Sequence, residues 1–385
     1  MIDQSDLDAL LRHQTWPAVT ITMPCHVPGE DIRQDPIRLK NLVNDAVTRL
    51  VRQGYAKKDS LALLEPARDL IDDTAFWPRG HRGLALFLSP ALSKFVEFNE
   101  PIEEMATCGK RFRIAGVLPY SPASEVDFFV LAISEDRAAL YRAGRDDMQE
   151  QAAQLPQGIA AVTGQGGYQQ NVQGNPVTAA GAGDQSGFGP RIHATGASPE
   201  DLRKTQLLNY LNQLSTVMQT AVGGSQLPIV LAAQAEIAGN FRKQSELGSL
   251  WPKQLELNPW SVDLAELHHL VWPVVEPHFA AQTSKTLDRF SRLHGSGRAT
   301  SEPSELVKAA SSGRVDTLIL GEGSHLWGRF DEAAGRVETR EEPELADEDL
   351  LDLAAQQTLL NGGQVRLVAP DQLPAGARAA GIMRF

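Results

Sequence analysis

The first 118 residues show the spacing of hydrophobic positions that is typical of mixed α/β structure. Residues 17–24, PAVTITMP, alternate between polar and apolar side chains as a half-buried strand does, and residues 35–53 place apolar side chains at helical spacing. The segments RGLALFLSP and KFVEF further along predict a pair of strands. We therefore expect an N-terminal α/β domain over residues 1–118.

A second pattern begins where prolines and small residues interrupt this periodicity, at residues 119–122. Residues 126–144 predict a strand, a turn and a second strand, as in a hairpin that opens a new domain. Further elements follow: a helix at 199–222, a strand at 227–233, a helix at 235–247 and a helical region at 262–293. Between them, residues 150–199 are rich in Gly, Gln, Ala and Asn, which inside a compact chain is typical of a functional or disordered segment. These features predict a middle domain over residues 119–293.

A third pattern follows the small-residue linker HGSGRATS, residues 294–301. Its expected elements are a helix at 303–312, a strand at 315–321, a strand pair near 326–338, a helix at 346–360 and a strand at 364–369. This alternation of helices and strands predicts a C-terminal α/β domain over residues 294–385.

Composition and charge narrow the functional classes. Apolar residues make up 42% of the chain and charged residues 22%, as in ordinary soluble globular proteins. No apolar stretch is long enough to span a membrane, and the N-terminus lacks a basic region followed by an apolar one, so we expect a cytoplasmic protein with no membrane partner. The formal net charge of -12 opposes general attraction to phosphate, so any contact with nucleic acid must be local.

The two cysteines, Cys25 and Cys108, are too few for a disulfide framework and have no Cys or His partner at zinc-ligand spacing. We interpret both as buried thiols. We expect neither a metal ion nor a cofactor.

Several separate motifs together point to one family. They are MPCHVPGEDIRQDPIRLKNLVNDA near the N-terminus, DFFVLAISEDRAALYRAG in the middle, and GRVDTLILGEG, EDLLDLAAQQTLLNGGQVRLVAP and GIMRF near the C-terminus. In this order they resemble the bacterial archaeo-eukaryotic release factor-like family, relatives of class-I release factors and Pelota. The resemblance implies three domains: an N-terminal α/β domain, an RNase H-like middle domain, and a C-terminal α/β domain like those of Pelota and a ribosomal protein. It also implies action on ribosomes, in termination or rescue.

The resemblance places a Gly-Gly-Gln loop in the Gly-rich stretch of the middle domain. The closest text there is GQGGYQQ, residues 164–170, which makes Gly166, Gly167 and Gln169 the candidate catalytic residues. Glycines let the backbone approach crowded RNA, and a glutamine can place a water or an N–H group against the developing oxyanion of an ester.

This loop departs from the family pattern in two ways. Tyr168 separates the glycine pair from Gln169, and no Lys or Arg occurs between Arg145 and Arg191, where cations would be expected beside phosphate. Two functions stay open: promotion of peptidyl-tRNA ester hydrolysis, or non-catalytic binding of ribosomes or structured RNA.

A literal Gly-Gly-Gln tripeptide, residues 362–364, occurs near the C-terminus, but its neighbours favour a structural role. We expect Asp347, Glu348 and Asp349 in the first turn of a solvated acidic helix that ends at Leu360. Gly362 or Gly363 should then take positive φ to stop the helix, and Gln364 should begin a strand.

A row of cations is the candidate RNA-binding surface: Lys285, Arg289, Arg292 and Arg298. The first three recur at helical spacing on one face, where they could contact RNA phosphate. Ordinary solvated surface charge is the alternative interpretation.

Overall fold

The computed structural model describes residues 2–27, 29–124, 126–145, 147–163, 199–345, 347–374 and 376–385. The chain forms two compact units. The first combines Met1–Val126, Gly144–Asp147 and Glu276–Phe385, and the second combines Asp127–Ala143 and Met148–Val275. Among the helices of these described ranges, none has the length and apolar character needed to cross a membrane.

An antiparallel sheet and a long helix form the N-terminal part of the first unit. Its elements are α1 (Gln4–Arg12), β1 (Ala18–Pro24), α2 (Gln34–Arg52), α3 (Lys57–Leu63), α4 (Glu65–Asp72), β2 (Gly83–Ser89), β3 (Leu92–Phe98) and β4 (Met105–Gly109). The sheet order is β3-β2-β1-β4. Val19 and Ile21 of β1 join Leu39, Val43 and Leu50 of α2 in one buried cluster, which explains why both segments carry the patterns predicted from the sequence.

The second unit is built on a mixed sheet in the order β7-β6-β5-β8-β9. Its elements and the helix that follows are β5 (Phe128–Ile133), β6 (Ala138–Ala143), β7 (Met148–Glu150), α5 (Gly158–Thr163), α6 (Pro199–Ala221), β8 (Ile229–Ala233), α7 (Ala235–Gln244), β9 (Leu250–Leu255) and α8 (Leu264–Leu293). The predicted hairpin is confirmed, because β5 and β6 pair antiparallel; β5 and β8 pair parallel. Leu131 of β5 packs with Leu211 of α6 and Phe241 of α7 in the core of this unit.

Two smaller sheets form the C-terminal part of the first unit. The elements are β10 (Ala299–Thr300), α9 (Pro303–Ser311), β11 (Val315–Gly321), β12 (Trp327–Asp331), β13 (Arg336–Arg340), β14 (Glu348–Asp349), α10 (Leu350–Leu360), β15 (Gln364–Val368) and β16 (Ala379–Met383). Their orders are β10-β16-β11-β15 and β13-β12-β14. The predicted α/β fold class is thus confirmed, with several sheets.

One hydrophobic core connects the N-terminal and C-terminal parts of the first unit. Leu10, Phe112 and Leu118 belong to the same buried cluster as Leu306 of α9 and Leu351 of α10. The compact unit therefore combines two segments for which the sequence predicts separate domains, and the three-domain division stays a prediction.

The helix predicted over residues 346–360 begins later than expected. Asp349 is its N-cap, and the Asp349 carboxylate accepts a hydrogen bond from the Leu351 backbone N–H at 3.1 Å. An aspartate at this position satisfies an N–H group that has no partner within the helix. The prediction of Asp347, Glu348 and Asp349 in the first helical turn is therefore wrong.

The structural role predicted for the tripeptide at residues 362–364 is confirmed. Gly362 has φ +70° directly after α10, and Gln364 begins β15. The Gly363 N–H donates to the Thr358 carbonyl oxygen at 2.8 Å, as in a helix stop.

Candidate functional site

The candidate catalytic residues Gly166, Gly167 and Gln169 lie outside the described residues, so their role stays a prediction. The described elements on either side are α5, which precedes this segment, and α6, which follows it.

The start of α5 is fixed against the turn between β5 and β6. Gly158 has φ +77°, and a Cβ atom there would lie 2.3 Å from the Asp136 carbonyl oxygen. The Ile159 N–H donates to the Glu135 carbonyl oxygen at 2.8 Å. A backbone approach this close at positive φ requires glycine.

The start of α6 is held to the same turn by an ion pair. Arg203 contacts the Glu135 carboxylate, with Nε 3.3 Å from Oε2. Such an exposed pair contributes little to stability. The location of the ion pair is more informative than its strength, because both helices that flank residues 164–198 contact the same turn of the sheet.

The four cations predicted to bind RNA are exposed on α8 and the turn after it: Lys285, Arg289, Arg292 and Arg298. Arg289 is partly neutralised, because its Nη1 lies 2.8 Å from Asp316 Oδ2. Lys285 and Arg292 line a shallow groove together with Asp288. This row therefore presents less positive charge than its sequence spacing predicts.

A buried ionic network in the first unit joins side chains that lie far apart in sequence. The Arg113 and Asp349 side chains are 7% and 2% exposed, and Arg113 Nε lies 3.4 Å from Asp349 Oδ2. The His325 ring bridges two carboxylates, with Nδ1 3.0 Å from Asp349 Oδ2 and Nε2 2.8 Å from Glu103 Oε1. Arg113 Nη2 lies 3.1 Å from the same Nδ1. In the imidazolium form both ring nitrogens donate to the two carboxylates.

The network shifts the pKa of its members. Hydrogen bonds to Asp349 and Glu103 raise the pKa of His325 to about 9, against the opposing effects of burial and of Arg113. Burial alone would raise the pKa of Asp349, but the hydrogen bond from His325 and the charge of Arg113 lower it. The two partners therefore stabilise each other's charged form.

A second carboxylate on α10 holds backbone of the N-terminal part. Asp352 accepts hydrogen bonds from the N–H groups of Ile114 and Ala115 at 2.8 and 2.6 Å. Gln356 Nε2 donates to the Phe112 carbonyl oxygen at 2.8 Å. Burial raises the pKa of Asp352 to about 6.

Asp347, just before α10, is paired and its side chain is buried, whereas Glu341, Glu342 and Glu344 are exposed as predicted for a solvated acidic segment. Asp347 Oδ1 lies 3.0 Å from Arg329 Nε and 3.1 Å from Arg340 Nη1, and the Asp347 side chain is 0% exposed. Sequence reasoning missed this network because its partners are remote. An aspartate directly before an apolar run was the one local signal for the cap at Asp349.

These buried charges are satisfied by one another, an arrangement that favours a structural role. In the described part of the chain, no group of three or more His, Cys, Asp and Glu side chains could hold a metal ion.

Residues 127–314 match the family described as Bacterial archaeo-eukaryotic release factor family 3. This range begins one residue before β5 and contains the candidate catalytic residues, and it confirms the resemblance to the release factor-like family. None of the curated proteins matches the sequence.

Similar solved structures include two translation termination or termination-like factors and a Pelota protein. The archaeal translation termination factor aRF1 is 14% identical, with 98% of this chain and 96% of that chain covered and a TM-score of 0.23. Archaeoglobus fulgidus Pelota is 11% identical, with 78% and 79% covered and a TM-score of 0.33. Dom34 of S. cerevisiae, a translation termination-like factor, is 12% identical, with 81% and 77% covered and a TM-score of 0.29. At such identities and TM-scores these likenesses carry no argument about mechanism.

Proposed function

We propose that this protein acts on ribosomes as a release-factor-like protein and promotes hydrolysis of the peptidyl-tRNA ester. The observation that carries the proposal is the match to the release factor family over residues 127–314, which spans Gly166, Gly167 and Gln169. The attachment of both flanking helices to the β5–β6 turn adds support, because the described elements on either side of the segment contact one place on a folded sheet.

The segment itself supplies backbone and amide groups only. Gly166 and Gly167 would let the backbone pass close to RNA, and Gln169 would orient a water or donate to the oxyanion that forms when the ester is attacked. Because residues 146–190 contain no Lys or Arg, ribosomal RNA must supply the rest of the catalytic environment. Activity should therefore require the ribosome.

A non-catalytic ribosome- or structured-RNA-binding protein is the second candidate. The displacement of the glutamine by Tyr168 and the lack of cations around the loop favour it, since both depart from what hydrolysis beside phosphate needs.

The test is release of labelled peptide from stalled ribosomal complexes. Wild type should release peptide, whereas Gly166→Ala/Gly167→Ala and Gln169→Ala should release it at least tenfold more slowly while still binding ribosomes. The control Gly181→Ala/Gly183→Ala changes two glycines of the same segment outside the motif and should behave as wild type. Wild type that binds without releasing peptide supports the second candidate, and equal release by all variants contradicts the assignment of these residues.

A further inference from the structure

The outward face of α2 carries three cations, and the half-exposed Asp45, which is paired with Arg49, borders it. Its exposed residues, including the N-cap Arg33, are Arg33, Gln34, Ile37, Lys40, Asn41, Asn44, Thr48, Val51 and Arg52. Arg33, Lys40 and Arg52 form no side-chain hydrogen bond or ion pair with any described residue. We call these nine residues the α2 cation face.

Each carboxylate of α2 is paired with a basic side chain. Asp35 is fully buried and lies 2.7 Å from His26 Nδ1, and Asp45 lies 2.8 Å from Arg49 Nε. In a chain with 48 acidic and 36 basic residues, a helix face with free cations only is a local reversal of the overall charge. Such a surface attracts anions even though the net charge is negative.

We propose that the α2 cation face binds the sugar-phosphate backbone of structured RNA. The inference rests on the proposed action at the ribosome and adds a contact surface to it. Between the cations stand Asn41, Asn44 and Thr48, whose amides and hydroxyl can donate to phosphate oxygens and 2′-hydroxyl groups. The face extends for about 28 Å along the helix, enough to follow several phosphates.

Pairing with carboxylates distinguishes the three cations of α2 from the cation row of α8. Lys285 and Arg292 share their groove with Asp288, and Arg289 is paired with Asp316. A phosphate at that row would meet a carboxylate, whereas the exposed side chains of α2 within one turn of Lys40, those of Ile37, Asn41 and Asn44, are neutral. Ile37 and Val51, 60% and 41% exposed, give the α2 face apolar contacts for ribose as well.

Binding of a fluorescent 20-base-pair RNA hairpin tests the proposal directly. The variant Arg33→Gln/Lys40→Gln/Arg52→Gln should bind at least tenfold more weakly at low salt, because it loses three cations without changing buried residues. Each phosphate contact contributes a slope of about -0.9 in log affinity against log salt, so the variant slope should be about 3 units shallower. The control Lys204→Gln/Lys308→Gln/Arg336→Gln removes the same charge from exposed positions elsewhere and should bind nearly as wild type does.

The proposal is overturned if wild type does not bind the hairpin, if the α2 variant binds as wild type does, or if the control loses as much affinity as the α2 variant. These outcomes are independent of the proposed function, which ribosome sedimentation and peptide release test with the wild-type protein. An α2 variant that keeps full hairpin affinity but no longer sediments with ribosomes would assign the face to a ribosomal protein, which also contradicts RNA binding.

Discussion

Gly158 packs so closely against Asp136 that a Cβ atom would lie 2.3 Å from the Asp136 carbonyl oxygen. This contact fixes the start of α5 on the β5–β6 turn, just before the segment that contains the candidate catalytic residues. The same turn pairs with Arg203 at the start of α6. The described starts of α5 and α6 thus depend on a few contacts at one turn.

Substitution of Gly158 tests the importance of this contact. Gly158→Ala should destabilise the protein by about 3 kcal/mol or more, since it adds a steric clash to the cost of positive φ. Gly224 has the same φ of +77° with no atom near its Cβ position, so Gly224→Ala should cost only about 1–2 kcal/mol. Chemical denaturation followed by circular dichroism measures both. Equal losses for the two variants would show that the Asp136 contact is relaxed in solution.

The pair Arg113–Asp349 should matter far more for stability than a surface pair. Asp349→Asn keeps the helix cap but removes the buried carboxylate beside Arg113, whose remaining acidic partner is Glu103 at 3.5 Å, and should cost about 3–5 kcal/mol. Asp45→Asn breaks an exposed pair with Arg49 and should cost less than about 1 kcal/mol. The free energies of unfolding of the two variants can be compared under the same conditions. A loss at Asp349 no larger than at Asp45 would contradict the buried network.

Because of His325, the free energy of unfolding should fall as the pH rises into the alkaline range. Its pKa is about 9 in the folded protein against an ordinary value of 6.5, so its stabilising effect is complete below about pH 6.5 and is lost as pH rises through 9. The difference in unfolding free energy between wild type and His325→Gln should therefore be largest near pH 6 and shrink toward pH 10. A difference that does not depend on pH would show that His325 is not charged in the folded state.

His81 should have the opposite effect, on the acid side. This side chain is 5% exposed, and its ring nitrogens have no hydrogen-bond partner in the described ranges. Burial lowers its pKa, so stability is lost as pH falls below the ordinary value of 6.5. The free energy of unfolding of His81→Leu should depend less on pH between pH 7 and 5 than that of the wild-type protein. An unchanged acid dependence in that variant would remove His81 as its source.

The tripeptide at residues 362–364 should matter for folding and not for peptide release. A Cβ atom at Gly363 would lie 2.7 Å from Thr358 Cγ2 and 2.8 Å from the Val315 carbonyl oxygen, so Gly363→Ala should destabilise the protein. Gln364→Ala should leave stability and peptide release near wild type, because Gln364 is an exposed first residue of β15. Loss of release in Gln364→Ala would move the catalytic assignment to this tripeptide.

Local patterns were enough to predict much of the fold. The alternation at residues 17–24 and the helical spacing at 35–53 each report which side of an element is buried, and β1 and α2 form there. The end of α10 at Gly362 could also be predicted from local sequence, because it depends on a backbone conformation that only a few residues adopt.

The buried charges could not be predicted in this way. Asp349 looks like a solvated acid until Arg113, 236 residues earlier, and His325 are brought beside it. The α2 cation face was hidden for a related reason, since the sequence does not reveal that Asp35 is buried against His26 or that Arg33, Lys40 and Arg52 are exposed. Burial and pairing of charges depend on contacts between remote segments, which periodicity does not encode.

Sedimentation of the purified protein with stalled ribosomes tests the central claim most directly. The protein should pellet with the ribosomes in a saturable manner and remain in the supernatant when they are omitted. Protein that stays in the supernatant at all ribosome concentrations, in low salt, would contradict action at the ribosome.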